Sequence, residues 1–299
     1  MAASHVNFEA DWFEDDLLAR LAELRLLSRH LSATSGSVAS RSRQLGDGLE
    51  FADHREYHPG DDCRFIDWPY YARMGKVLLR RFHEHSDSDV LICVDASASM
   101  AAGGVERFRH AQALAAAVVY VASGSAMRSE LVLFNSAVVA RRRVGLDETA
   151  LVDAMSFLGE QSPDGNSDYP ASLREALAGN RRAGLVVVIG DFCDTDDELA
   201  TTWAAIRSGG ADATAVQVLT EADAGDVAGG RVRLEASEGA ETLDLYIDRA
   251  TADAYRERFT AWQDELRTQC ISRGVTFVPA PTTEPIEKIV FEITNSSLV

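Results

Sequence analysis

From Asp89 onward, short apolar runs alternate with longer amphipathic stretches, and this alternation restricts the chain to few folds. Residues 90–94 and 185–189 are unbroken runs of Val, Leu, Ile and Cys, and residues 213–219 are nearly as apolar. A strand with one wet face alternates polar and apolar positions, whereas a continuous apolar run marks a strand covered on both faces. Helical periodicity fills the intervals at residues 105–123, 147–158, 170–178, 196–208 and 250–272. Residues 130–134 and 138–144 read as a hairpin turning at Asn135-Ser136, residues 231–236 and 243–247 as a two-stranded excursion, and 275–278 as a last short strand. The predicted class is α/β: a doubly wound, mainly parallel sheet with helices on both faces and Rossmann-like topology.

The N-terminal part is different. Trp12, Leu17, Leu18, Leu21, Leu24, Leu27 and Leu31 give residues 11–31 the period of one amphipathic helix. Residues 32–48 are rich in Ser, Gly and Arg and read as a loop, and residues 76–82 carry a strand pattern. Residues 1–86 hold too few regular elements for a core of their own, so they are expected to wrap a main domain spanning 87–299 with a small β excursion near 231–247.

Composition removes several classes of function. The formal net charge of −18 argues against general nucleic-acid binding and against docking on anionic lipid. Such a field favours cations and a basic partner surface. No apolar run approaches the roughly 20 residues of a spanning helix, and the first residues lack the pattern of a secretory signal. Cys63, Cys93, Cys193 and Cys270 are scattered without a close ligand pair, which speaks against zinc and for reduced thiols in a cytoplasm.

Residues 90–100 carry the chemistry. The apolar run breaks into Asp95-Ala96-Ser97-Ala98-Ser99, a carboxylate and two hydroxyls at alternate positions where a parallel strand ends. Hard oxygen donors of this kind suit Mg²⁺ or Mn²⁺. Asp191 leaves the strand at 185–189 in the same way, and Gly165-Asn166-Ser167-Asp168 precedes a helix. The alternative is structural: a strand-to-helix turn in which Asp95 and the serines satisfy backbone donors, and Ser167 as a helix N-cap. Asp-x-Ser-x-Ser after an apolar strand resembles the metal-ion-dependent adhesion site of von Willebrand factor A domains. Gly165–Asp168 is similar to the Gly-Gly-Thr-Asp loop of those domains, with Ser167 standing for threonine. The resemblance implies an ion held by Ser97, Ser99 and Ser167, with Asp95 and Asp191 acting mainly through water and charge.

A second resemblance covers nearly the whole chain. The run Gly48-Leu49-Glu50-Phe51-Ala52-Asp53-His54-Arg55-Glu56-Tyr57-His58-Pro59-Gly60-Asp61-Asp62-Cys63-Arg64-Phe65-Ile66-Asp67-Trp68 resembles the hallmark of the DUF58 family. Tyr71-Ala72-Arg73, Arg81-Phe82-His83-Glu84 and Asp95–Met100 continue it. The family is similar to A domains and is often encoded beside MoxR-type AAA+ ATPases, which implies an adaptor role in protein maturation or regulation. Read from the residues alone, the interleaved Arg55, Arg64 and Arg73 with their acidic neighbours suggest an ion-pair network anchored by Tyr57 and Trp68, or else a docking surface.

The expected function is a non-enzymatic, divalent-metal-dependent interaction module that takes an acidic side chain of a protein partner. Two rivals stand beside it: a phosphatase-like metal-dependent hydrolase using Asp95, and a degenerate A domain that binds without metal. The chain has no phosphate-binding Gly-Lys-Ser/Thr loop and no Gly-x-Ser-x-Gly elbow.

Overall fold

The computed structural model describes residues 50–56, 66–83, 89–102, 104–146, 149–180, 183–193, 197–223, 230–235 and 242–296. The helix expected over residues 11–31 and the loop over 32–48 lie outside these. The described residues fall into two compact units, divided between residues 87 and 88.

In the smaller unit, β1 (Glu50–Glu56) pairs antiparallel with β2 (Leu78–His83), with a bulge between Phe51 and Asp53. Between them α1 (Trp68–Met74) starts where Asp67 Oδ1 accepts the Tyr70 N–H at 2.9 Å, and ends at Gly75 in the left-handed region. Trp68 is not the buried anchor that its size suggested. It is 57% exposed and meets Tyr71 edge-on, with ring centroids 6.2 Å apart. Arg73 Nε donates to Pro69 O; Tyr57 and Arg64 lie outside the described residues.

The larger unit is built on a six-stranded sheet in the order β10-β7-β6-β3-β4-β5. Its strands are β3 (Asp89–Asp95), β4 (Ser129–Phe134), β5 (Val138–Val144), β6 (Ala183–Gly190), β7 (Asp212–Leu219) and β10 (Thr276–Pro281). Every neighbouring pair is parallel except β4 and β5, which form the expected hairpin at one edge. Helices α2 (Glu106–Gly124), α3 (Ala150–Gly159), α4 (Tyr169–Gly179), α5 (Asp197–Ser208), α6 (Arg249–Ser272) and α7 (Ile286–Ser296) accompany them. The strands β8 (Gly230–Glu235) and β9 (Thr242–Ile247) pair with each other as a separate hairpin.

Burial explains the apolar runs. Val90, Ile92 and Val94 point into one core with Leu114, Leu158 and Ile289, while Leu91 and Cys93 point into a second with Tyr169, Leu173 and Trp203. Both faces of β3 are therefore dry, as its sequence required. Helix α2 sits against the first core and is buried along most of its circumference, from Arg107 to Ala122. Helix α7 went unnoticed in the sequence, although Ile286, Ile289, Val290 and Ile293 repeat at helical spacing, and the last three of these are buried. Glu130 on β4 is also buried, between Arg141 and Arg143 of β5 at 3.6 and 3.7 Å.

One residue of α2 sets a pH limit on the fold. His110 Nε2 is buried without a hydrogen-bond partner among the described residues. Burial pushes the ring's pKa down to about 4, against the opposing pull of Glu106. The unfolded chain takes up that proton near pH 6.5, so the contribution is present above that value and is lost as pH falls toward 4. The displacement from 6.5 to about 4 corresponds to at most about 3 kcal/mol. Denaturant midpoints measured across this window should fall more steeply for the wild type than for His110→Leu; parallel curves would refute the assignment.

Candidate functional site

Chain order places the site. After β3 the chain runs outward through β4 and β5, then returns to lay β6 on the other side of β3. Connections diverge at that switch point and leave a crevice beyond the carboxyl ends of the two strands. Asp95 is the last residue of β3 and Asp191 follows the last residue of β6, so the register Val94↔Ile189 carries both carboxylates to the crevice.

Both are buried, Asp95 at 0% and Asp191 at 2% exposure. Asp95 Oδ1 accepts the Ser97 N–H at 2.8 Å, and Oδ2 accepts the Tyr169 hydroxyl at 2.6 Å. Burial first, and the neighbouring Asp191 charge second, push the Asp95 carboxyl up to about 6, against these hydrogen bonds. Tyr169 is itself held firmly protonated by burial and the two carboxylates. Its oxygen also accepts the Phe192 N–H at 3.1 Å, so one hydroxyl ties the end of β3 to the end of β6. Phe192 stacks on the Tyr169 ring and has φ +57, a conformation that costs a non-glycine residue roughly 1–2 kcal/mol. Strain of this kind concentrates at functional sites. The turn at Phe192 lets the Cys193 N–H reach Asp191 Oδ1 at 3.0 Å.

The serines behave as a pair. Ser97 Oγ and Ser99 Oγ lie 3.0 Å apart, and both residues are buried. Adjacent ligands on an octahedral ion with bonds of 2.0–2.1 Å are about 2.9 Å apart, so this spacing suits Mg²⁺. The 164–167 segment lies alongside: Ala98 N–H donates to Gly165 O and Asp164 N–H to Ala96 O, each at 2.8 Å. Ser167 is half-buried in that segment. It is not the cap of α4; Asp168 takes that role, its Oδ1 accepting the Ala171 N–H at 2.9 Å. Among the described residues no three His, Cys, Asp or Glu side chains form a metal-ligand group. The donor set anticipated here is of another kind, two carboxylates with hydroxyls. Two buried carboxylates of like charge, one of them driven toward its protonated form, are the electrostatic condition that a cation relieves. The residues present fit a hard divalent ion.

Three participants escaped the sequence reading. Tyr169 sat one residue before the predicted start of its helix. Gly190 brings the strands so close that an added Cβ would lie 2.8 Å from Asp95 Cβ. Arg107 is 4% exposed, and its Nη1 donates to Ser99 O at 2.9 Å and to Asp191 Oδ2 at 3.3 Å. Its signal was present, because Arg107 occupies the apolar stripe of α2 with Ala111, Leu114 and Val118.

Tyr169→Phe tests the tie between the strands. It removes the donor to Asp95 and the acceptor for Phe192 while keeping the ring. Buried groups left unpaired cost about 1–3 kcal/mol, so the denaturant midpoint in chelator should drop accordingly. A midpoint equal to the wild type would show that the hydroxyl holds nothing.

A family model described as "Protein of unknown function DUF58" matches residues 53–269. The chain belongs to the DUF58 family. Uncharacterized proteins of Mycobacterium bovis and Mycobacterium tuberculosis are 30% identical to this DUF58 chain over 152 residues, 49% of it and 48% of their own length. The chain thus spans about half the length of the curated relatives it matches. Among solved structures, a conserved hypothetical protein BatB from Bacteroides thetaiotaomicron aligns at TM-score 0.43 and 14% identity, over 70% of this chain and 98% of that one. An aerotolerance-related membrane protein from Bacteroides fragilis aligns at TM-score 0.40 and 14% identity, over 71% and 98%. At such scores the fold assignment rests on the strand order and registers of the DUF58 chain itself. Among its described residues no helix is long and apolar enough to cross a membrane.

Proposed function

We propose that this DUF58 protein is a divalent-metal-dependent protein-interaction module without catalysis of its own. Mg²⁺ or Mn²⁺ would be held by the hydroxyls of Ser97, Ser99 and Ser167, with Asp95 and Asp191 acting through charge and bridging water. The observation that carries this reading is the meeting of Asp95 and Asp191 beside a pair of hydroxyls 3.0 Å apart at the sheet's switch point. An ion there supplies positive charge and a coordination position for an incoming ligand. The natural occupant of that position is an acidic side chain, whose approach the ion would permit by offsetting the local charge of Asp95 and Asp191. The net charge of −18 favours a basic surface around that side chain.

The likeness of Asp95–Ser99 and Gly165–Asp168 to the adhesion site of A domains supports the same reading. Family resemblance points to a MoxR-type AAA+ ATPase, or a client of one, as the partner, and a reduced cytoplasm suits the free thiols of Cys93, Cys193 and Cys270. The test is thermal melting of the full chain in chelator, in Mg²⁺ and in Mn²⁺, followed by capture of a MoxR-type ATPase with and without metal. Both ions should raise the melting temperature, and retention should require them. Indifference to both ions would favour the metal-free rival. Turnover of phosphoesters that disappears in Asp95→Asn would replace this proposal with a hydrolase.

A further inference from the structure

Arg107 is more than a neighbour of the site. Its Nη2 is bound by both oxygens of Asp223, at 2.5 and 2.7 Å, while Nη1 reaches Asp191 Oδ2 and Ser99 O. Its Nε is buried without a partner among the described residues. A structural arginine shielded this well normally satisfies all its donors. Here the fork is divided between a carboxylate of the site and a carboxylate outside it. Asp223 is further fixed by the Thr220 N–H and hydroxyl, both at 2.7 Å to Oδ2. Two carboxylates, Asp191 and Asp223, thus share a single guanidinium, and Asp95 adds its own charge beside Asp191.

We propose that Arg107 is a tethered counter-ion of this site: it neutralises Asp191 while no metal is bound, and yields Oδ2 to the water shell of an arriving divalent cation while staying anchored on Asp223. The inference rests on the metal-binding reading above. It assigns Arg107 a positioning role with a definite sign. A residue that only orients Asp191 for the ion would weaken metal binding when removed. A competing positive charge a few ångströms from a dication opposes its binding, so its removal strengthens binding. Asp223 sets how firmly the competitor is held back, and loss of its charge leaves the guanidinium to Asp191 alone.

The experiment is calorimetric titration of the full-length protein with Mn²⁺, for wild type, Arg107→Gln, Arg107→Lys and Asp223→Asn, with melting curves in chelator alongside. Arg107→Gln keeps a donor without the charge and should bind Mn²⁺ about tenfold more tightly. Arg107→Lys should stay near wild type, and Asp223→Asn should bind several-fold more weakly. In chelator, Arg107→Gln should melt lower than wild type, because its carboxylates then face one another unneutralised. If Arg107→Gln does not fold in chelator, Asp223→Asn decides alone: unchanged or tighter binding there overturns the proposal. Wild-type binding with equal or weaker binding in a folded Arg107→Gln also overturns it and leaves the metal reading standing. Absence of binding in every variant defeats both.

Discussion

Near neutral pH in chelator, Asp95→Asn is expected to melt at or above the wild type and to gain nothing from Mg²⁺ or Mn²⁺. The reason lies in the sign of the Asp95 displacement. Its carboxyl is pushed from 3.8 to about 6 in the folded state, by burial and then by Asp191. The folded protein therefore holds this proton more tightly than the unfolded chain does. The stabilisation that the proton provides is full below pH 4 and is lost as pH rises through about 6. That displacement, from 3.8 to about 6, is equivalent to roughly 3 kcal/mol. Asparagine removes the charge but presents an amide to Tyr169 where an acceptor stood, a loss of about 1 kcal/mol. The net expectation is a gain of about 1–2 kcal/mol for the empty variant. For the wild type, metal at about 100 times its Kd adds about 2.7 kcal/mol. The order of melting temperatures should thus invert when metal replaces chelator. Alanine is the poorer probe, since it strands the Ser97 N–H and the Tyr169 hydroxyl. A metal response that survives in Asp95→Asn would contradict the assignment of Asp95.

Gly190→Ala should be the most damaging single methyl in the sheet. Its backbone is not left-handed, so the problem is space: the new Cβ would sit 2.2 Å from the Tyr169 hydroxyl and 2.8 Å from Asp95 Cβ. Neither neighbour is free to move. Tyr169 is pinned by Asp95 and Phe192, and Asp95 by Ser97 and its own strand. Overpacking of this kind costs about 1–3 kcal/mol, and the upper end applies where hydrogen bonds must also break. Urea denaturation in chelator should report that loss, and metal titration of the folded fraction should report weaker binding. A wild-type midpoint would mean that β3 and β6 can separate without cost.

Much of this was readable from the chain. Dry strands betray themselves as unbroken apolar runs, and with β-to-α alternation the parallel sheet and its switch point follow. Asp95 and Asp191 could be paired because each terminates such a run. Boundaries shifted by a residue or a few: β6 begins at Ala183 and β10 extends to Pro281. Arg107 showed itself as a charge in the apolar stripe of α2, but its partners did not, and neither did those of Tyr169 and Asp223, because the contacts span 74, 84 and 116 residues of chain. Only the folded sheet brings them together. Trp68 misled for the opposite reason. A large aromatic predicts burial on average, but in α1 it is mostly solvent-exposed.

The outer strand β5 carries Arg141, Arg142 and Arg143 in succession. Arg141 and Arg143 lean on the buried Glu130, and Arg142 covers the Phe157 ring. An uncovered strand edge invites pairing with another chain, and charge along it is a known deterrent. Two copies meeting through β5 would set arginine against arginine with one internal carboxylate on each side to offset them. Lateral growth of this sheet into ribbons is therefore self-limiting on that border.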